Sequence, residues 1–394
     1  MNCPSAPKQS CSNRSPSITS SQTHSASEVI TPPCSSANMK GKCYIQGMAA
    51  ITPQNSFEGE IFQQPMLTAT TTMLQCVEPD YKTFIPGNSL RRMSRLLKMG
   101  LTTAIKCLQD ANTGIPEAIV TGTGKGSLQD TERFLHDIRT YNEQALNPTP
   151  FIQSTYNAIN GLIALQQQCT TYNNTFVHRG LSFESALLDS IMLLNDGVTQ
   201  ILTGAFDEIT AEHKFIKGRI RHWREHPVRT SNLYDNPAPG TIAGEGTAFF
   251  SLANTASPSS YAAITGIRMM NWPPADRLGT LLTDFLAQHQ LTVPQLDLVI
   301  TGRCGDSNHE HYYAAMDQVL HNTCQLPFKH LTGEYETAGA IALWLAAHML
   351  RAQKVPAAWF PMARQMPAAL NHVLIYNHHF GEQHAFILLE RIKN

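Results

Sequence analysis

Charge is scarce in this chain, and neither sign dominates. Only 15% of the 394 residues are charged, and Lys+Arg 29 against Asp+Glu 30 leaves a formal charge of −1. That balance excludes the basic footprint of a nucleic-acid binder and the cationic face of a membrane-surface protein. Nor does any stretch reach the ~18 consecutive apolar residues of a membrane-crossing helix. Cysteine pairs are missing too: the nine Cys are scattered and never in CxxC spacing, which argues against a disulfide framework or a structural zinc site. The start lacks the charged-then-apolar pattern of a signal peptide, so a cytoplasmic setting is the expectation. What is present is 42% hydrophobic residues, enough at this length for two or three domains or one large layered unit.

Residues 1–38 stand apart. They hold eleven Ser, five Pro, no Phe, Trp or Tyr and one acidic residue, Glu28. Such a segment buries too little apolar surface to offset its ordering entropy, so disorder is expected, with Cys3, Cys11 and Cys34 incidental. Met39 is a natural alternative start, just before a first strand over Cys43–Ile51.

From Leu90 to Leu108 apolar residues recur at helical spacing. Ala118-Ile119-Val120-Thr121-Gly122 then reads as a strand buried on both faces. Helical stretches follow over Leu128–Tyr141 and Ala158–Gln167, and Ser182 is the expected cap of another, whose inner face is Leu187, Leu188, Ile191 and Leu194 and which Asn195-Asp196-Gly197 stops. A strand over Gln200–Thr203, with Gly204, closes this half. The second half repeats the plan: Leu296–Gly302 matches Pro116–Gly122, both end in Thr-Gly, and both run into a glycine-containing loop. A core helix over Thr337–Leu350 leads to strands His372–Asn377 and Ala385–Glu390. Buried strands alternating with helices mean an α/β protein, and the repeat at about 180 residues suggests two duplicated halves.

Three features invite chemistry. Thr121-Gly122-Thr123-Gly124-Lys125-Gly126-Ser127 resembles a phosphate loop, but Gly126 separates Lys125 from Ser127 and the glycine spacing is wrong. His309, His311, His378, His379 and His384 cluster in sequence without any pattern that fixes a metal geometry. Cys304 lies just past a strand end, where α/β proteins place reactive groups, with His309 and His311 close by in the chain. No metal and no cofactor are expected.

Four ordered segments together resemble the ketosynthases of the thiolase fold. Thr149–Asn157 through Asn174–Ser182 closes with Ile201-Leu202-Thr203-Gly204-Ala205-Phe206-Asp207-Glu208; Gly244-Glu245-Gly246-Thr247-Ala248 follows. Lys329-His330-Leu331-Thr332-Gly333-Glu334 is placed like the family's Lys-x-x-x-Gly-His, and Phe380-Gly381-Glu382-Gln383-His384-Ala385 like its C-terminal Gly-Phe-Gly-Gly-x-Asn-Ala loop. The likeness is nearest to the divergent ketosynthase-like and chain-length-factor proteins of aryl polyene, flexirubin and dialkylresorcinol pathways. It implies a thiolase-like α/β fold of two duplicated halves, each with a central mixed sheet, layered α-β-α-β-α. The expected boundaries are 39–240 and 241–394.

The same resemblance implies a Cys at a helix N-terminus and two histidines, and this chain departs from it at each place. Counted back without gaps from Glu208 and Gly197, the Cys position falls on Gly180. The first histidine position falls on Gly302 or Arg303, and at the second stands Glu334, where an ionised carboxylate is expected to repel the charge that decarboxylation develops. Lys329 is retained, and Phe380 matches the family's gating Phe. His178, Arg179, Arg303, Lys329, Phe380 and His384 are the expected pocket residues. Two readings follow. In one, the chain is a non-catalytic, chain-length-factor-like subunit that meets an acyl carrier protein and a catalytic ketosynthase, as a homodimer or heterodimer. In the other, it is an acyltransferase with altered residues: Glu334 as base, or Cys304 or Ser182 as nucleophile.

Overall fold

Ala118, Ile119 and Val120 are all buried, as a strand covered on both faces requires, and each face finds its own helices. The computed structural model describes residues 35–36, 41–59, 61–361, 363 and 366–392. In the first half, strand β1 (Cys43–Ile51) leads to helix α1 (Arg95–Ala111), β2 (Ala118–Gly122), α2 (Ala158–Gln167), β3 (Tyr172–Phe176), α3 (Ser182–Asn195), β4 (Gln200–Asp207) and β5 (Gly246–Ala253). The second half repeats that order: β6 (Ala262–Asn271), α4 (Leu278–Gln288), β7 (Leu298–Thr301), α5 (Glu310–Val319), β8 (Cys324–Pro327), α6 (Gly339–Ala352), β9 (His372–His379) and β10 (Gln383–Glu390).

The sheets repeat as well. The first runs β3-β2-β4-β5-β1 and the second β8-β7-β9-β10-β6. In each, the Thr-Gly strand lies parallel to both neighbours and the last two strands run antiparallel. A short antiparallel pairing of Cys43–Ile45 with Ala262–Ile264 joins them. β2 and β7 therefore hold equivalent places, each flanked on both sides. The repeat divides between β5 and β6, within residues 254–261, and not after residue 240: β5 pairs with both β1 and β4 and so belongs to the first half.

Packing follows the strand alternation. Ala118 and Val120, with Leu298 and Ile300, face an inner core built on α3 and α6. Ile119 faces the outer pair α1 and α2, and Val299 the outer pair α4 and α5. The result is a five-layer α-β-α-β-α stack, with α3 and α6 sandwiched at its centre.

Two sequence expectations need adjustment. α1 starts at Arg95, not Leu90, because Gly87–Leu90 forms a separate turn and Ser94 is extended. Of the segment 1–38, Ser35–Ser36 pairs with Arg268 and Met269 of β6; the rest, including Cys3, Cys11 and Cys34, lies outside the described residues. Among the described residues no helix is long and apolar enough to cross a membrane.

Candidate functional site

The C-terminal ends of β2, β4, β7 and β9 bring their loops together, and a chain of buried charges runs between the halves. On the first-half side, the Asp207 carboxylate at the end of β4 holds the loop after β2. Its Oδ1 accepts from Thr123 Oγ1 at 2.9 Å, Gly124 N at 2.9 Å and Lys125 N at 3.2 Å. Its Oδ2 accepts from Thr337 Oγ1 of the second half at 2.8 Å. The amides that resembled a phosphate cradle are thus already occupied. Burial, with Glu336 adding to it, raises the Asp207 carboxyl to about 6.

Gly180 sits buried in the single turn that leads into α3, and its N–H donates to Gln383 Oε1 at 2.8 Å. A Cβ placed on Gly180 would lie closer than 3.0 Å to both Cβ and Cγ of His379. The imidazole at the end of β9 thus fills the niche that the missing side chain leaves. His379 is only 5% exposed and lies between two carboxylates. Its Nδ1 is 3.6 Å from Glu334 Oε1, and its Nε2 is 3.8 Å from Glu336 Oε1. Neither Glu334 Oε1 nor His379 Nδ1 has a hydrogen-bond partner.

Glu334 is not a bare anion. Its other oxygen, Oε2, accepts from Lys329 Nζ, which is wholly buried and also donates to the His378 carbonyl at 3.1 Å. Burial pushes the Glu334 carboxyl up, but Lys329 and His379 outweigh it and hold it below the usual carboxylate range. The expected repulsion of a developing negative charge is therefore largely cancelled by the adjacent ammonium. Glu336 pairs with Lys125 Nζ at 2.6 Å. Against the upward push of burial, Lys125 and His379 bring its carboxyl down to about 2. Lys125, Glu336, His379, Glu334 and Lys329 form one contiguous row of ionisable side chains, whose Lys125 end keeps 18% side-chain exposure.

Gly302 directly follows β7, where the repeat places Gly122 at the end of β2. A Cβ there would overlap Asn377 Oδ1, a buried oxygen with no partner. Arg303 turns away, donating to Asp317 at 2.6 Å and lying 5.2 Å over the Tyr313 ring. Neither residue supplies an imidazole.

The two candidate nucleophiles are held in other ways. Ser182 Oγ donates to the Arg179 carbonyl at 2.7 Å and accepts from His178 N at 2.8 Å, so its hydroxyl ties down the start of α3. Cys304 is buried, and burial reinforced by Glu334 pushes its thiol up to about 12, with Lys329 opposing; a thiolate does not form there at neutral pH.

The remaining expected pocket residues separate. His178 and Arg179 are exposed; Arg179 adopts φ 51° and pairs with Glu382 at 2.5 Å. His384 is buried with both ring nitrogens engaged, Nδ1 with Tyr376 OH and Nε2 with the Gly381 carbonyl, each at 3.1 Å. His378 Nδ1 accepts from Gly381 N at 3.2 Å, and its Nε2 has no partner. Among the described residues no set of three His, Cys, Asp or Glu side chains is arranged to hold a metal ion. Phe380, at φ 46°, is stacked on His222 with centroids 3.9 Å apart. A bulky residue in the left-handed region is unusual and marks a constrained turn.

Glu336, Asn377 and Glu184 escaped the sequence reading; Lys125 entered it only within the phosphate-loop likeness, and His379 only as one of a histidine cluster. His379 had a signal: the family loop places Gly immediately before the Phe, and this chain has His there. Glu184, in the first turn of α3, is 1% exposed, and burial raises its carboxyl to about 8. The folded state keeps a proton that the unfolded chain releases above about 4.5, so Glu184 makes stability fall as pH rises through that window. Glu184→Gln should remove this part of the slope, with a stability gain in urea melts that is larger at pH 8 than at pH 5.

Residues 68–215 match the family model described as the N-terminal domain of β-ketoacyl synthases. A search of curated proteins found no match. Among solved structures, a β-ketoacyl synthase from Burkholderia phymatum STM815 is 15% identical with a TM-score of 0.73, covering 90% of this chain and 100% of that one. The ishigamide ketosynthase/chain length factor is 14% identical with a TM-score of 0.74 and the same coverage. A ketosynthase in complex with its chain length factor from Xenorhabdus doucetiae is 15% identical with a TM-score of 0.71, covering 90% and 99%. The duplicated five-layer architecture is the fold of these structures, and residues 68–215 are similar to the N-terminal domain of β-ketoacyl synthases.

Proposed function

We propose that this chain is a non-condensing, chain-length-factor-type subunit that partners a catalytic ketosynthase in polyketide or fatty-acid chain building, of the aryl polyene or flexirubin kind. One observation carries the reading: the place where a condensing enzyme of this fold holds its acyl-bearing Cys is Gly180, and the His379 ring occupies the space a thiol would need. An acyl-enzyme cannot form at a residue with no side chain.

Two surfaces suit the partners. β3 is the terminal strand of its sheet, and beside it Leu165 is 80% exposed, Met192 52% and Val177 44%. An unpaired edge flanked by apolar side chains suits a second subunit of the same fold, which would bury over ~2,000 Å². Elsewhere a groove of about 1110 Å³ is lined by Lys214, Arg219, Arg221, Arg224, Phe215 and Trp223, a basic surface that would receive an acidic acyl carrier protein. The solved relatives include a ketosynthase with its chain length factor and a ketosynthase bound by an acyl-carrier protein. A cytoplasmic setting accords with the six described cysteines, all free.

The purified chain alone should neither condense acyl and malonyl thioesters nor decarboxylate malonyl thioester above background. Co-expressed with a catalytic ketosynthase, it should copurify as a dimer by size-exclusion chromatography with light scattering. Condensation by the chain alone, or a monomer with and without that ketosynthase, would overturn the reading.

A further inference from the structure

We propose that Glu334 and His379 form an acid–base dyad that hydrolyses acyl thioesters. The step rests on the reading above only in that an acyl thioester reaches this site. It goes beyond that reading by giving a non-condensing subunit a chemistry of its own.

The geometry starts from two orphaned atoms. Glu334 Oε1 and His379 Nδ1 are both buried, neither has a partner, and they face one another at 3.6 Å. A buried polar atom left unpaired is costly. A shift of about half an ångström closes an Nδ1–H···Oε1 bond at ordinary length. That bond fixes the tautomer with the lone pair on Nε2, as a carboxylate does wherever histidine serves as a general base. Lys329 keeps Glu334 ionised for the role by pairing with its other oxygen.

The basic nitrogen then points the useful way. His379 Nε2 faces Glu336, and Glu336 pairs with Lys125, the partly exposed end of the charge chain. The neighbouring turn is the one that Phe380 holds in a left-handed conformation against His222. The reactive side of the ring is thus separated from solvent by one ion pair and one strained aromatic residue, while its Nδ1 side is sealed in the core.

The step is balanced without any other reagent. Water loses a proton to His379 Nε2 as its oxygen adds to the thioester carbon. The tetrahedral adduct collapses, the C–S bond breaks, and the leaving sulfur takes the proton back from Nε2. A carboxylic acid and a thiol are the products.

The test uses butyryl-N-acetylcysteamine, a small thioester that requires neither carrier protein nor partner, with the purified full chain. Free thiol is followed by a chromogenic disulfide and ¹⁸O incorporation into butyrate by mass spectrometry. The expected result is thiol release with one labelled oxygen per butyrate. It should fall by about 100-fold in His379→Ala or His379→Gln, whichever retains the wild-type melting curve, and added imidazole should partly restore it in His379→Ala. No thiol release by the folded wild-type chain, or equal release by a folded His379 variant, overturns the proposal. Failure here leaves the copurification result untouched, and failure to copurify leaves this assay untouched.

Discussion

Gly180→Cys should destabilise the protein by about 3 kcal/mol, the upper range for forcing atoms into a filled interior, and it should not create a condensing enzyme. The new Cβ would lie closer than 3.0 Å to His379 Cβ and Cγ. Those atoms are near the backbone, not the far end of a flexible chain. His379 ends β9 and leads into the tight turn that Phe380 completes, with Glu382 N donating to the His379 carbonyl at 3.1 Å. The ring cannot swing aside without breaking that turn and its approach to Glu334 and Glu336. Removing the ring should therefore rescue the Cys: His379→Gly with Gly180→Cys should recover most of the loss, a coupling of about 2 kcal/mol in a double-mutant cycle read by urea denaturation. In the double variant the thiol would stand at the N-terminus of α3, where a helix dipole lowers its pKa, and iodoacetamide should label it rapidly. Condensation should remain absent, because Gly302 and Glu334 still leave both imidazole positions empty and grouped catalytic residues do not act singly. If Gly180→Cys alone proves neutral, the niche is not closed, and the reading that depends on it falls.

This pairing of Gly180 with His379 also marks how far the sequence could be read. The elements whose signals are local were legible: Cys43–Ile51 and Ala158–Gln167 coincide with the observed bounds, while Ser182, expected as the cap of α3, is its first residue and Leu181 stands at the cap. The duplication was legible as well, because Thr121-Gly122 and Thr301-Gly302 close strands that are buried on both faces in the same way. β5 and β6 mark the true boundary between the halves, and their residues are nearly all buried. Only the GEGTA likeness hinted at β5, since a short fully buried strand has no alternation to detect. β3 was passed over for the opposite reason: Tyr172-Asn173-Asn174-Thr175 is polar, as an exposed edge requires. The vacancies at Gly180, Gly302 and Glu334 could be counted from the motifs. What fills them could not, because His379 reaches Gly180 only when the two halves close on one another, and Asn377 reaches Gly302 only through the pairing of β7 with β9. Glu334 shows the difference most plainly: as a residue in a sequence it is an anion, and in the fold it is half of an ion pair.

That ion pair carries the second large effect. Lys329 and Glu334 are 0% and 1% exposed, and each is the other's principal charge partner. Taking one charge away leaves its partner buried and unpaired, a loss typically about 3–5 kcal/mol. Lys329→Met should approach this, since it strands Glu334 with only the His379 ring at 3.6 Å and leaves the His378 carbonyl without its donor. Glu334→Leu should cost less, because a buried lysine can shed its proton and still donate to that carbonyl. Made together, Lys329→Met and Glu334→Leu should restore most of the stability, because the pair's attraction largely offsets its own desolvation. The pH dependence has a definite sign. Glu334 has its folded pKa held below the unfolded value, so it contributes stability that is fully present above the ordinary carboxylate range and lost as pH falls through the folded pKa. Denaturation midpoints in urea between pH 3 and pH 7 should therefore rise with pH in the wild type more steeply than in the double variant. A double variant as unstable as Lys329→Met alone would show that the loss comes from packing and not from charge.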